Sequence, residues 1–220
     1  MCGITGMVGH VDRERLVAMT AALRHRGPDA DGFHVGEGWG FGHRRLSIID
    51  LEGGAQPMAS ADGSCWVTYN GEIYNFRELR AQLQARGHVF TTRSDTEVLL
   101  AAYREWGDAC VDHLLGMFAF GLWDAPRRRL LLARDRVGIK PLHYSLLDGT
   151  ALAFASEPKA LLCLPGVRRE LDPVALDAYL DLYYVPPPHS MFAGIRQLPP
   201  GHVLVWQDGD RKSTRLNSSH

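Results

Sequence analysis

No stretch of these 220 residues approaches the ~20 consecutive apolar residues that a membrane-spanning helix needs, and no basic region followed by an apolar run opens the chain. Neither a membrane protein nor a secreted one is therefore expected, and the expected compartment is the cytoplasm. Excess charge is missing as well. The 24 Lys and Arg nearly balance the 25 Asp and Glu, and a net charge of −1 gives no field that would hold nucleic acid or an anionic membrane. Partners are expected to be small molecules or protein. Cysteine is scarce: Cys2, Cys65, Cys110 and Cys163 lie far apart with no C-x-x-C pair, which argues against a zinc knuckle and a disulfide framework, and no metal site is expected. Repeats and low-complexity domains are absent too. What remains is 45% hydrophobic and 22% charged, an ordinary composition with enough apolar residues for one substantial core.

Within that composition the first six residues, Met1-Cys2-Gly3-Ile4-Thr5-Gly6, carry the sharpest signal. Removal of Met1 would leave a thiol and a free α-amine on one residue. An α-amine titrates at about 7.7–8.0 and a thiol at about 8.5, so near neutral pH the amine can take the thiol's proton without any histidine. Gly3 and Gly6 let the backbone pass close to a substrate, and Ile4, Met7 and Val8 begin a buried strand. The competing reading is a small buried hydrophobe, which is retained for the other three cysteines.

Further along, Asp12 is a helix cap, with Leu16, Met19, Thr20 and Leu23 on one face of the helix. Gly27-Pro28 ends that helix and leaves Arg24, Arg26 and Asp29 on a turn that could order a loop against a substrate or merely satisfy the helix end. Trp39 to Asp50 reads as a strand running into a loop, and Trp66–Tyr69 as a short strand stopped by the turn signal Asn70-Gly71. Asn75 caps the next helix and Gly87 closes it; Ser94 and Glu97 are spaced as a capping box for another, with Asp95 in its first turn. From Met117 the chain predicts a meander of strands, Phe118–Trp123, Leu130–Ala133, His143–Leu147 and Ala151–Ala155, broken by the charged loop Arg134–Leu142. A short helix from Glu157, a longer one from Asp172-Pro173, and a rigid extended Pro186-Pro187-Pro188 follow. Alternating strand pairs and helix pairs predict an α+β layered sandwich.

Taken in order, Cys2, Arg24–Asp29, Arg45, Asn70–Glu72, Asp95 and Arg134–Leu142 resemble the glutaminase domain of the class II glutamine amidotransferases. His43-Arg-Arg-Leu-Ser-Ile-Ile-Asp50 and Arg24-His-Arg-Gly-Pro-Asp29 resemble the asparagine synthetase branch, rather than the sugar-phosphate or phosphoribosyl branches. The resemblance implies a four-layer αββα sandwich of two antiparallel sheets, of the N-terminal-nucleophile hydrolase type. It further implies that Cys2 attacks the side-chain amide of glutamine and that Asn70 and Gly71 receive the oxyanion. Arg45 would take the substrate carboxylate and Glu72 and Asp95 its ammonium, while Leu46, Ser47, Ile48 and Ile49, with Asn70 and Gly71, line the bound glutamine. The family's second domain makes asparagine from aspartate with ATP and Mg, but its Ser-Gly-Gly-x-Asp-Ser signature is not in this sequence.

Residues 1–209 are accordingly expected to be the glutaminase domain and the start of a linker to a synthetase domain in cis. Residues 210–220 resemble the translation of a sequencing-adapter oligonucleotide and are expected to pack against nothing. No cofactor is expected in residues 1–209, and a homodimer is left open. Two other readings stay open: a same-branch amidotransferase serving an exopolysaccharide or antibiotic intermediate, and an inactive binding or storage domain of this fold.

Overall fold

The computed structural model describes residues 1–46, 54–147, 150–207 and 209–215, and the structural statements below concern those residues. The predicted glutamine-lining positions Ser47, Ile48 and Ile49 lie outside them. The strands are β1 (Gly3–Val8), β2 (Ala30–Gly36), β3 (Trp39–Arg45), β4 (Met58–Ala59), β5 (Cys65–Ile73), β6 (Gly116–Asp124), β7 (Arg129–Arg134), β8 (His143–Leu147), β9 (Ala151–Ala155), β10 (Arg196–Gln197), β11 (His202–Gln207) and β12 (Asp210–Arg215). The helices are α1 (Arg13–Ala21), α2 (Phe76–Ala85), α3 (Asp95–Trp106), α4 (Cys110–His113), α5 (Pro158–Leu161) and α6 (Pro173–Leu182). One antiparallel sheet runs β10-β8-β9-β1-β3-β2, and the other β12-β11-β7-β6-β5-β4.

Side-chain alternation explains the stacking. In β7, Leu130 and Leu132 join Ile4, Val8, Phe41 and Phe154 in a core between the sheets, whereas Leu131 and Ala133 join Leu79, Leu83, Val98 and Leu99 from α2 and α3. With both faces covered, the strand reads as one continuous apolar run. A third cluster packs Leu16 and Met19 of α1 with Ala160 and Leu161 of α5 against Met7, Ala153 and Ala155. The layer order is thus helix, sheet, sheet, helix, as the sequence implied. The sheets approach closely because Phe154 sits between two glycines: a Cβ at Gly6 or Gly121 would come within 2.2 or 2.3 Å of its ring.

Several local expectations change. β5 does not stop at Asn70 but continues to Ile73, paired with β6 in the register Asn70↔Ala119 and Gly71↔Phe118. Gly71 is required there by close approach and not by a turn, since its Cβ would lie 2.3 Å from the Met117 carbonyl oxygen. The strands after Met117 form no single meander. β6–β7 is a hairpin of one sheet and β8–β9 a hairpin of the other. The 134–142 loop is the crossover between them, held by buried Asp135, which accepts from the Phe118, Val137, Ile139 and Lys140 amides.

Asp12 and Ser94 cap their helices, but Asn75 does not. Its side chain instead bonds the His113 carbonyl and the Leu115 amide. Glu97 makes no capping box, because its carboxylate is taken by the amides and hydroxyls of Thr91 and Thr92. The proline run folds as a turn in which the His189 amide donates to the Pro186 carbonyl. Nor does the chain after Gly209 stand apart, because Asp210–Arg215 forms β12 and pairs residue by residue with β11. A polar, basic segment suits that edge position, where its other side has no partner strand.

Candidate active site

The site lies at one open end of the sandwich, where strand ends from both sheets meet. Cys2 immediately precedes β1, Arg45 ends β3, Asn70, Gly71 and Glu72 lie near the end of β5, and Asp95 opens α3. Although up to 93 residues apart in sequence, these residues and Leu46 line one cavity of about 390 Å³, along with His43, Tyr69 and Lys140. Volume does not single this cavity out, since a cavity of about 810 Å³ beside β4 and α3 has no thiol in its lining. The chemistry does.

Cys2 is held on two sides. Its sulfur lies 3.4 Å from the Leu46 amide, which points at it, and 3.7 Å from the Leu46 carbonyl. Its own carbonyl accepts from Arg26 Nε at 2.9 Å, while Arg26 Nη1 binds Glu157 at 2.8 Å. Arg26 is 8% exposed, so the Arg24–Asp29 turn grips the N-terminal strand itself. Burial alone would push Glu157 up, but hydrogen bonds from Arg26, His25 and Lys159 outweigh it and hold the carboxyl at about 2.

The free edge of β5 supplies the next part. Phe118, opposite Gly71, turns its amide and carbonyl to Asp135 on the far side, so Gly71 makes no ladder bond to it. The amides of Tyr69, Gly71 and Ile73 all face the other way, beyond the reach of two-residue β4. Gln56 Oε1 accepts from Tyr69 and Asp95 Oδ2 from Ile73, at 2.7 and 3.1 Å. The Gly71 amide lies between them, on a residue that lines the cavity, and this edge carries no ladder partner for it among the described residues. Asp95 Oδ2 also accepts from the Tyr69 hydroxyl at 2.7 Å, and burial together with that neighbour pushes the phenol well above its usual range. Asn70 is 2% exposed, and its Nδ2 has no hydrogen-bond partner among the described residues. A buried donor without a partner beside a thiol and an open backbone amide can receive developing negative charge.

A family model for the glutamine amidotransferase domain matches residues 1–217. The chain belongs to this glutamine amidotransferase family. It is 43% identical over 218 residues to glutamine-hydrolyzing asparagine synthetase 1 of Bacillus subtilis (strain 168), covering 96% of this chain and 34% of that protein. With glutamine-hydrolyzing asparagine synthetase 2 of Oryza sativa subsp. japonica the identity is 45% over 167 residues, 73% of this chain and 28% of that protein. This amidotransferase chain thus spans about a third of the length of the curated relatives it matches. Among solved structures, the glutamine phosphoribosylpyrophosphate amidotransferase of B. subtilis superposes with a TM-score of 0.70 at 21% identity, over 99% of this chain and 50% of that one. That likeness shows the sandwich fold.

Sequence reasoning leaves four contributors to the site without defined roles. Arg26 belongs to the Arg24–Asp29 turn, but its grip on the Cys2 carbonyl is tertiary. Gln56 and Tyr69 carry no local motif. His43 could have been found by counting, since on an alternating strand it faces the same way as Trp39 and Phe41.

Proposed function

We propose that this chain releases ammonia from glutamine as the glutaminase half of a cytoplasmic glutamine-hydrolysing asparagine synthetase. The observation that carries this is the convergence on one cavity of a thiol at the chain's start, an open Gly71 amide, the buried unpartnered Asn70 amide, a guanidinium and two carboxylates. Free glutamine is a zwitterion: Arg45 offers a planar fork to its carboxylate, and Glu72 and Asp95 offer anions to its ammonium.

With Met1 removed, the Cys2 α-amine accepts the thiol proton and the sulfur adds to the side-chain carbonyl carbon of glutamine. The oxyanion of the tetrahedral intermediate is received by Asn70 Nδ2 and the Gly71 amide. Collapse of the intermediate breaks the C–N bond, and the ammonium of Cys2 returns its proton to the leaving nitrogen, which departs as ammonia. Water then cleaves the thioester to glutamate and restores the thiol. Leu46, through its amide at the sulfur, lines the bound glutamine. Transfer of the ammonia to an ATP-activated aspartate, with Mg, would belong to a synthetase domain in cis.

The test is glutamine turnover by the purified chain. Glutamate and ammonia in equal amounts, with no asparagine formed when aspartate and ATP are added, is the expected result. Failure to hydrolyse glutamine once Met1 is shown to be gone would refute the reading.

A further inference from the structure

Lys140 is 7% exposed and lines the cavity that holds Cys2, Asn70 and Gly71, where Arg45, Glu72 and Asp95 already suffice for the two charges of free glutamine. Its backbone is fully engaged. The amide donates to Asp135 Oδ2 at 3.0 Å, and the carbonyl accepts from Arg134 Nε at 2.8 Å. The ammonium, in contrast, makes no ion pair or hydrogen bond with any described residue. Asp135 spends its carboxylate on the Phe118, Val137, Ile139 and Lys140 amides, and Asp95 Oδ2 is taken by the Tyr69 hydroxyl and the Ile73 amide. Unlike Asn70 Nδ2, Lys140 Nζ is not sealed off, so the little exposure it keeps lies at the cavity. A cation this buried is costly without a counter-charge, and the cavity it lines suits an anion.

The fold says where that anion sits. Asp135 Oδ2 accepts from the Phe118 amide at 3.2 Å as well as from Lys140, which sets the two backbones side by side, and Phe118 pairs with Gly71 across β6 and β5. Lys140 therefore stands at the Gly71 end of the cavity. Arg45 comes in on the other flank of Cys2: β1 lies between β3, where Gly3 pairs with Arg44, and β9, whose neighbour β8 begins three residues after Lys140.

We infer that Lys140 is the counter-ion for the carboxylate that hydrolysis creates at the side-chain end of the substrate, and so sets how tightly the site holds its product, glutamate. This rests on the function proposed above. Water adds to the thioester carbon, the C–S bond breaks, Cys2 recovers its proton, and the new acid gives its own proton to solvent. The side chain has then passed from neutral amide to anion, while the α-ammonium and α-carboxylate are unchanged. An ammonium rewards the anion more than the amide, because a hydrogen bond between two charged groups is the stronger kind. Glutamate thus competes with glutamine for the site.

The experiment measures glutamate and glutamine binding by calorimetry on the Cys2→Ala chain, which cannot turn glutamine over, with Lys140 intact, Lys140→Met or Lys140→Arg. The two ligands differ only at the side-chain end, so the ratio of their Kd values isolates the group that meets it. Lys140→Met should raise Kd(glutamate)/Kd(glutamine) by about tenfold or more, the effect of one hydrogen bond to a charged group, and Lys140→Arg should restore most of the ratio. Equal weakening of both ligands would put Lys140 on the α-carboxylate and overturn the inference, as would no weakening of either; both results leave the proposed function standing. A chain with Lys140 intact that binds neither ligand overturns both. Should Lys140→Met fail to fold, reductive methylation of Lys140 in the Cys2→Ala chain, followed by mass spectrometry, decides: glutamate should slow it more than glutamine does at equal occupancy, and equal protection refutes the pairing.

Discussion

Replacing Asn70 by alanine separates catalysis from stability more cleanly than any other change at this site. The residue is 2% exposed, yet Nδ2 has no hydrogen-bond partner among the described residues, so its removal breaks no Nδ2 bond to any of them. Deleting a desolvated, unpartnered donor recovers about 1–3 kcal/mol, which offsets the packing given up when a small side chain is truncated at the cavity wall. The net stability change should stay within about 1 kcal/mol, or about 2–4 °C in Tm for a chain of this size. Catalysis should behave differently. An oxyanion donor acts on charge present only in the transition state, and its loss typically costs about 2.7–4 kcal/mol, a fall in kcat of about 10²–10³ with KM little changed. Because the Gly71 amide remains as a second donor, activity should be depressed and not abolished. Steady-state glutamate release and a thermal melt measure both quantities. Arg45→Ala provides the contrast, since the carboxylate it meets is present in ground and transition states alike and its loss should fall mainly on KM. If Asn70→Ala raised KM and spared kcat while Arg45→Ala did the reverse, the assignments would be wrong. A Tm drop well beyond about 10 °C on Asn70→Ala, several times the shift expected here, would make the residue structural.

Cys2→Ala should abolish hydrolysis while leaving glutamine binding by calorimetry largely intact, and intact mass should show active protein without Met1; active protein retaining Met1 would contradict the α-amine as base. Glu157 is held at about 2 against an ordinary 4.5, so its stabilisation is complete above pH 4.5 and is lost as pH falls toward 2. Denaturant midpoints should drop across that window, and Glu157→Gln should flatten the drop. A backbone ester at Gly71, which removes only its N–H, should lower kcat without lowering Tm, since that N–H makes no ladder bond. A Tm loss with kcat intact would place the N–H in the sheet after all.

Much of this architecture was legible because its signals are local. Alternation and turn residues delimited β8 and β9 to the residue, and Asp12, Ser94 and Asp172 cap their helices through their own side chains. Illegible features were those in which a distant partner displaced a local one. Asn75 has a cap's position but binds the 113–115 segment with its amide, and Glu97 has a capping box's spacing but is held by two threonines. Asn70-Gly71 has a turn's composition, but the fold uses the two residues inside a strand: an amide side chain on the inner face and a Cα close enough to β6 to admit no Cβ. The two hairpins after Met117 look alike in sequence, and only the crossover clamped by Asp135 sends them to different sheets. The candidate residues themselves were recognised by family resemblance, because no spacing rule connects Cys2 to Asp95.

The brevity of β4 ties fold to chemistry. A strand of full length beside β5 would pair with the amides of Tyr69, Gly71 and Ile73 and leave no backbone donor at the site. β4 instead covers only Trp66 and Val67, and the exposed edge beyond it is closed selectively. Gln56 takes the amide before Gly71, and Asp95 takes the one after it. An open edge is ordinarily a liability, a row of unpaired groups that invites another strand. Among the described residues, the edge beyond β4 keeps one amide without a partner, that of Gly71, on a residue lining the cavity that also holds the Cys2 thiol. Gln56 and Asp95 therefore do more than fill hydrogen bonds. By satisfying the flanking amides they stiffen the strand on both sides of Gly71, so that its N–H is presented in a direction fixed before substrate arrives, which is the condition under which a backbone donor stabilises an oxyanion without reorganisation cost.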